Sequence, residues 1–190
     1  MERLLTEDKT FEQIDYTKQP LPAGDYENCI FINCDFSNVN LSHFSFAECQ
    51  FKDCNLSMTK LGQTALRAIE FKGCKLLGLH FEHCKQLLFS VYFQHCILNL
   101  SCFYNIKLKK TVFDDCSLQE VDFTEADLTE AVFQNCDLAG AVFDNTILEK
   151  ADLRTAYHYS INPELNKIKK AKFSVTGIAG LLKKYDIEIE

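Results

Sequence analysis

The chain has 190 residues, 47% of them hydrophobic, which is enough for one packed domain and too apolar for a disordered one. Its formal net charge of −7 and pI near 5.3 exclude a general binder of nucleic acid or anionic membrane. No stretch approaches the roughly 18 apolar residues of a membrane span, and the polar opening Met1–Lys9 does not read as a secretory signal, so a cytoplasmic location is expected.

In chain order, Phe11, Ile14 and Tyr16 read as an incomplete first coil, followed by a Pro-containing loop over Thr17–Gly24. From Tyr26 an apolar residue then recurs every fifth position: Tyr26, Phe31, Phe36, Leu41, Phe46, Phe51, Leu56, Leu61, Leu66, Phe71, Leu76 and Phe81. The register slips by two residues across Glu82–Leu87, which reads as a bulge or small corner loop. It resumes at Leu88 and runs through Phe93, Leu98, Phe103 and so on to Leu153, making 26 centres of which 25 are Leu or Phe. The residue two before each centre is mostly small or apolar, and the remaining positions are mostly polar.

A helix would space apolar residues by three and four, and a strand would alternate them strictly. A step of five with two inward positions instead fits a chain that turns at every step, four steps closing one square coil of 20 residues. Residues 20 apart should then stack about 4.8 Å apart, as neighbouring strands do. In the second run this puts Leu88, Leu108, Leu128 and Leu148 in one column, and Phe93, Phe113 and Phe133 in the next. Leu98, Leu118 and Leu138 form the third, and Phe103, Phe123 and Phe143 the fourth. With only seven Gly and three Pro, the corners cannot depend on glycine.

Ten cysteines invite a metal or disulfide reading. Nine of them, all but Cys102, fall on the inward position two before a centre, where a thiol acts as a small hydrophobe. Cys34, Cys54 and Cys74 should stack in one column, and Cys96, Cys116 and Cys136 in another. No CxxC or Cys/His pair with zinc spacing is present, so neither metal nor cofactor is expected. With Leu, Phe and Cys filling the inward positions there is no room for a catalytic pocket. No phosphate loop, GxSxG or HExxH occurs, and the chain reads as a non-enzyme.

Between Thr111 and Glu149 lie ten acidic residues and no Lys or Arg. Asp114, Asp115, Glu120, Asp122, Glu125, Asp127, Glu130, Asp137 and Asp144 are the candidate partner-binding surface, since a rod bearing carboxylates could enter a basic groove built for DNA. The charge then reverses, with Lys150, Arg154, Lys167, Lys169, Lys170, Lys172, Lys183 and Lys184. His158 breaks the third column and marks the end of the coils. Ser174 can N-cap a short helix to Tyr185, and Asp186–Ile189 alternates like an edge strand. Ile178, Leu181, Leu182 and Tyr185 share one side of that helix and are the candidate twofold dimer interface. The organisation is thus an N-terminal capping segment at 1–24, a repeat β-helix at 25–160, and a C-terminal cap at 161–190.

The steps Ala126-Asp127-Leu128-Thr129-Glu130, Cys136-Asp137-Leu138-Ala139-Gly140 and Ala151-Asp152-Leu153-Arg154 resemble the pentapeptide-repeat family, and the resemblance covers about Asp25 to Ala156. It implies an all-β, right-handed quadrilateral β-helix. The C-terminal helix closing the rod is similar to the quinolone-resistance, gyrase-protecting members, and the tail Ile161-Asn162-Pro163-Glu164-Leu165-Asn166 to the microcin B17 immunity members. That likeness implies a dimeric DNA mimic that binds DNA gyrase or topoisomerase IV and protects it from quinolones or a peptide toxin. A structural scaffold with an unrelated protein partner is the alternative.

Overall fold

A computed structural model describes residues 4–188, which form a right-handed, four-sided β-helix of about eight turns. The four sides are numbered here by their core residues: face I carries Phe31 and Phe113, face II Phe36 and Leu118, face III Leu41 and Phe123, face IV Phe46 and Leu128. Face I is a nine-stranded parallel sheet running the length of the rod, from Thr10–Glu12 to Lys172–Phe173. Face IV holds a four-stranded parallel sheet, Leu4–Glu7, Gly24–Glu27, Ser45–Ala47 and Ala65–Arg67, and continues as single bridges such as Lys107 to Asp127. Faces II and III are built of single bridges throughout, Asp35 to Asn55 and Asn40 to Lys60 among them.

The residue before each core centre contributes to these forms without fixing them. Several strands carry a β-branched residue there, as Ile30, Val112 and Val132, whereas Ile97, Val142 and Ile147 in the same place form single bridges. Many Asp and Asn side chains there bond the backbone N–H two residues on and make a turn, and Asp152 does so from within a strand. Asp35 accepts from Ser37 at 2.8 Å, Asp122 from Thr124 at 2.8 Å, Asp127 from Thr129 at 3.1 Å and Asp137 from Ala139 at 3.1 Å. The corners are made by left-handed residues; among the described residues 25 non-glycine ones lie on the coils, at φ between 50° and 69°. Each such residue carries about 1–2 kcal/mol of backbone strain. Most of their N–H groups are aimed at a carbonyl one coil further on, as Asp53 to Lys72 and Asp115 to Gln134, both at 2.8 Å, and those bonds offset the strain.

Inside, the stacked columns appear as the 20-residue period requires. On face I, Phe11, Phe31, Phe51, Phe71, Phe93, Phe113 and Phe133 form one file of parallel rings 4.8–5.4 Å apart. On face III, Phe81, Phe103, Phe123 and Phe143 stack at 4.6–5.4 Å. The two files meet edge-to-face across the tube, Phe113 against Phe123 at 6.0 Å and 80°. The two expected cysteine columns are one file: Cys74 touches both Cys54 and Cys96, so six thiols run from Cys34 to Cys136. All ten cysteines are free, and only Cys102 is not buried.

The two-residue slip is confined to one corner. Lys85 still pairs 20 residues back with Ala65, whereas Val91 pairs 22 back with Ile69. Leu88, expected to head a core column, is instead a left-handed corner residue, 66% exposed. The chain must take two extra residues around the corner, and Phe89 packs against the core in its place, edge-on to Phe81 at 6.3 Å.

At the N-terminal end Phe11 and Tyr16 stack on Phe31 and Phe36 at 4.9 and 4.5 Å, so the first coil closes on three sides. At the other end the ladder continues past His158, with Ile147 bridging Lys167 and Asp152 pairing Lys172. The helix expected from Ser174 to Tyr185 is replaced by two short 3-10 turns, Ile178–Leu181 and Lys183–Tyr185. Ser174 does not cap a helix: its Oγ accepts the Gly177 N–H at 3.0 Å in a local turn, and Gly177 is the residue that precedes the first 3-10 turn. The segment lies too flat on the last coil for a full helix: the Ile161 N–H bonds the Gly180 carbonyl at 3.0 Å, and a Cβ on Gly180 would come within 2.5 Å of the Tyr159 carbonyl. Asp186–Glu188 form no strand, and Ile189 lies outside the described residues.

Candidate partner-contact surface

The nine candidate carboxylates are distributed around the whole rod. Asp114 lies on face I with Asp115 at its corner. Asp137 lies on face II with Glu120 at the corner toward face III. Asp122 and Asp144 lie on face III with Glu125 at its far corner, and Asp127 lies on face IV with Glu130 at its corner. The belt is therefore a ring, and face I and face III point in opposite directions.

Their electrostatic states differ as much as their directions. Glu130 stands in a corner ladder between Lys110 and Lys150, its carboxylate 2.9 Å from Lys150 Nζ, and that ion pair holds its pKa below the ordinary value. Burial draws Asp127 upward, but bonds from Thr129 and Lys109, the latter at 3.2 Å, leave it below the usual range. Asp137 is likewise drawn up by burial and brought down by Gln119 and by His158 at 2.9 Å. Asp115 accepts from His95 at 2.7 Å, and Asp114 from the Gln94 amide at 3.0 Å. Among the described residues no Lys, Arg or His pairs with Glu120, Asp122, Glu125 or Asp144. Asp114 on face I also lacks a basic partner, but the other four share face III and its two corners, so most of the uncompensated charge lies on one side.

Sequence spacing located the acidic coils but not this division. Two facts hide it: a carboxylate before a core centre is also the acceptor of a backbone turn, and its partners come from residues 18 to 21 positions away. The same face extends downward to Glu82, a carboxylate that sequence reasoning left aside as part of the slip.

The four candidate dimer residues are not alike. Leu181 packs against the core and Leu182 is half-buried, while Ile178 and Tyr185 are exposed, with Val175 (90% exposed) and Ile187 nearby. Tyr185 Oη donates to Glu164 at 3.0 Å, and Lys184 pairs with the same carboxylate. An open groove of about 730 Å³ runs beside them, lined by Tyr157, Tyr159, Thr176 and Lys183 among others. No helix among the described residues is long and apolar enough to cross a membrane.

Comparison with known proteins agrees with this architecture. No curated protein matches in sequence. Among solved structures, HetL, a pentapeptide-repeat protein involved in heterocyst differentiation regulation from the cyanobacterium Nostoc sp. strain PCC 7120, superposes with a TM-score of 0.70. It is 16% identical, over 93% of this chain and 89% of that one. QnrB1, a plasmid-mediated fluoroquinolone resistance protein, matches at 21% identity over 98% of this chain and 100% of that one, with a TM-score of 0.49. The family model for the pentapeptide repeat region matches residues 25–87 and 86–157. With five-residue steps, left-handed corners and stacked Phe, Leu and Cys files throughout, the chain belongs to the pentapeptide-repeat family.

Proposed function

We propose that this chain acts without catalysis, by presenting face III as a duplex-like run of negative charge to the DNA-binding groove of a type II topoisomerase, DNA gyrase or topoisomerase IV. In doing so it protects the enzyme from quinolones or a peptide toxin. The observation that carries this is the set Glu120, Asp122, Glu125 and Asp144, gathered on one side with no basic partner. A groove that steers DNA by its phosphates would steer such a side in the same way, more strongly at low salt. The interior, filled by the Phe, Leu and Cys files, has no space for a substrate.

The chain pairs with a second copy through its C-terminal end, where Val175, Ile178, Tyr185 and Ile187 expose apolar surface on a surface of short turns. A twofold pair would set two rods end to end and double the length of the charged side. Sedimentation of wild type against Ile178→Asp tests this; a monomer at micromolar concentration in both would remove the dimer.

A gyrase supercoiling assay, with and without ciprofloxacin or a peptide toxin, tests the main proposal. Inhibition or protection should appear at micromolar protein and weaken in the triple variant Asp122→Asn, Glu125→Gln, Asp144→Asn. The opposite-face pair Asp114→Asn, Asp115→Asn should change it little. Absence of both inhibition and protection would leave an interaction scaffold for an unrelated protein.

A further inference from the structure

We propose that His80, Glu82 and His83 form a binding site for one divalent transition-metal ion of the zinc type, created by the one step of the repeat among the described residues that turns its corner as a 3-10 helix. The regular steps turn through a left-handed residue two after each core centre: His43, Gln63, Asn105 and Glu125 on this same face. His83 occupies that position below the two-residue insertion but is not left-handed; Phe81–His83 is instead a single 3-10 turn. In a 3-10 turn, side chains three residues apart eclipse one another. The His80 and His83 rings accordingly lie face to face, 5.3 Å between centres and 19° between planes. Glu82 comes up between them, its Oε1 2.7 Å from His80 Nδ1 and 3.7 Å from His83 Nε2.

One ligand atom from each residue lies within 4.8 Å of the other two, and this is the one such group of three or more among the described residues. A zinc ion with ligands about 2.0–2.1 Å away holds them somewhat over 3 Å apart, a spacing bracketed by the 2.7 and 3.7 Å contacts of Glu82, so side-chain rotations on the order of an ångström suffice. Two imidazole nitrogens and one carboxylate are the donor set of borderline ions, and leave a coordination position open to solvent. The second oxygen, Glu82 Oε2, is buried, and the carboxylate faces the Cys102 thiol, so it is held in place from the coil above. Both imidazoles are about 60% exposed, at 58% and 62%, and open to an ion from solution. The thiol of Cys102, the one cysteine outside the core, lies one coil above, where Cys102 bridges His80 along the backbone.

Zinc chloride titrated into the full chain in a calorimeter, with EDTA-treated protein as the start, tests the site. The expected result is one equivalent bound per chain, with binding lost in His80→Ala, His83→Ala and weakened at least about 10-fold in Glu82→Gln. The control His95→Ala, His158→Ala should bind like wild type. At zinc about 100-fold above Kd the wild-type Tm should rise by about 5–10 °C, and that of the double variant should not. Equal Tm values of both proteins in EDTA show that the loss is not unfolding, as expected for two exposed side chains. No stoichiometric binding, or binding that survives in His80→Ala, His83→Ala, would overturn the assignment.

Discussion

The coils below the insertion and those above it are the same tube filled by different rules. Below, aromatic residues occupy neighbouring faces and meet around the corner, Phe31 against Phe36 at 5.6 Å and Phe46 against Phe51 at 5.6 Å, and two faces carry extended sheets. Above, from Phe93 to Leu148, core Phe is confined to faces I and III and core Leu to faces II and IV, with Leu153 then taking the place of Phe on face I, and among the described residues only face I remains a sheet. The face I file crosses the boundary without a break, with Phe71 and Phe93 at 5.4 Å. Continuity of the core is thus held by one face while the corner between faces IV and I absorbs the two extra residues. The repeat can tolerate a change of register as long as one column stays closed.

The strongest challenge to that comparison is to open the column above the boundary. Phe113→Ala removes a ring stacked on both Phe93 and Phe133 and fully buried, and should cost about 3–5 kcal/mol in urea unfolding. Phe51→Ala below the boundary should cost about the same, since its file is the same file. A loss under about 1 kcal/mol in either would show that the tube is looser there than its stacking implies.

Deleting Gln86 and Leu87 would restore a step of 20 and carry Leu88 to the inward position between Leu66 and Leu108. Burying that leucine is worth about 1.5–3 kcal/mol, part of which offsets the displacement of Phe89. The deletion should therefore raise Tm in thermal unfolding. A drop in Tm would mean that the insertion is itself a packed element.

A finer test separates charge from turn-making in the acidic coils. Asp122→Asn keeps an acceptor for the Thr124 N–H and should leave stability within about 0.5 kcal/mol. Asp122→Ala leaves that N–H without its side-chain partner and should cost about 1 kcal/mol. Equal costs would assign the residue to charge alone.

The smallest effect is that of pH. Bonds from Lys18 and Thr17 hold Asp15 of the first coil at about 2, and Asp127, Glu130 and Asp137 above the boundary are also below their ordinary values. A carboxyl with a lowered folded pKa adds stability above its unfolded value and loses it as pH falls toward the folded one. Stability should therefore fall between about pH 4 and pH 2, from both ends of the rod, and by less in high salt because these pairs are largely exposed. An acid transition confined to one half would contradict it.

How much was legible beforehand depends on which residues are asked. The five-residue step, the Phe and Leu columns and the burial of nine cysteines follow from spacing alone, because a narrow tube admits only one answer for an inward side chain. Leu88 was misplaced because periodicity counts residues and cannot say how a corner spends two extra ones. The Ser174–Tyr185 segment has helical spacing, but Gly177 and Gly180 let it lie against Tyr159, a tertiary contact that overrides weak local propensity. The division of the carboxylates was hidden for a related reason: partners such as Glu130 and Lys150 or Asp137 and His158 are neighbours only after a full coil has closed.

The 20-residue coil also sets the unit in which such a chain can lengthen or shorten. A duplication or loss of 20 residues within either half adds or removes one layer of about 4.8 Å and leaves every file in phase. A change of any other size must be hidden at a corner, as the extra pair at Gln86–Ser90 is, or it turns Phe, Leu and Cys outward together. Rod length, and with it the span of any partner groove the rod can fill, therefore changes in discrete layers, and the corner that breaks the count is where two differently phased stacks meet.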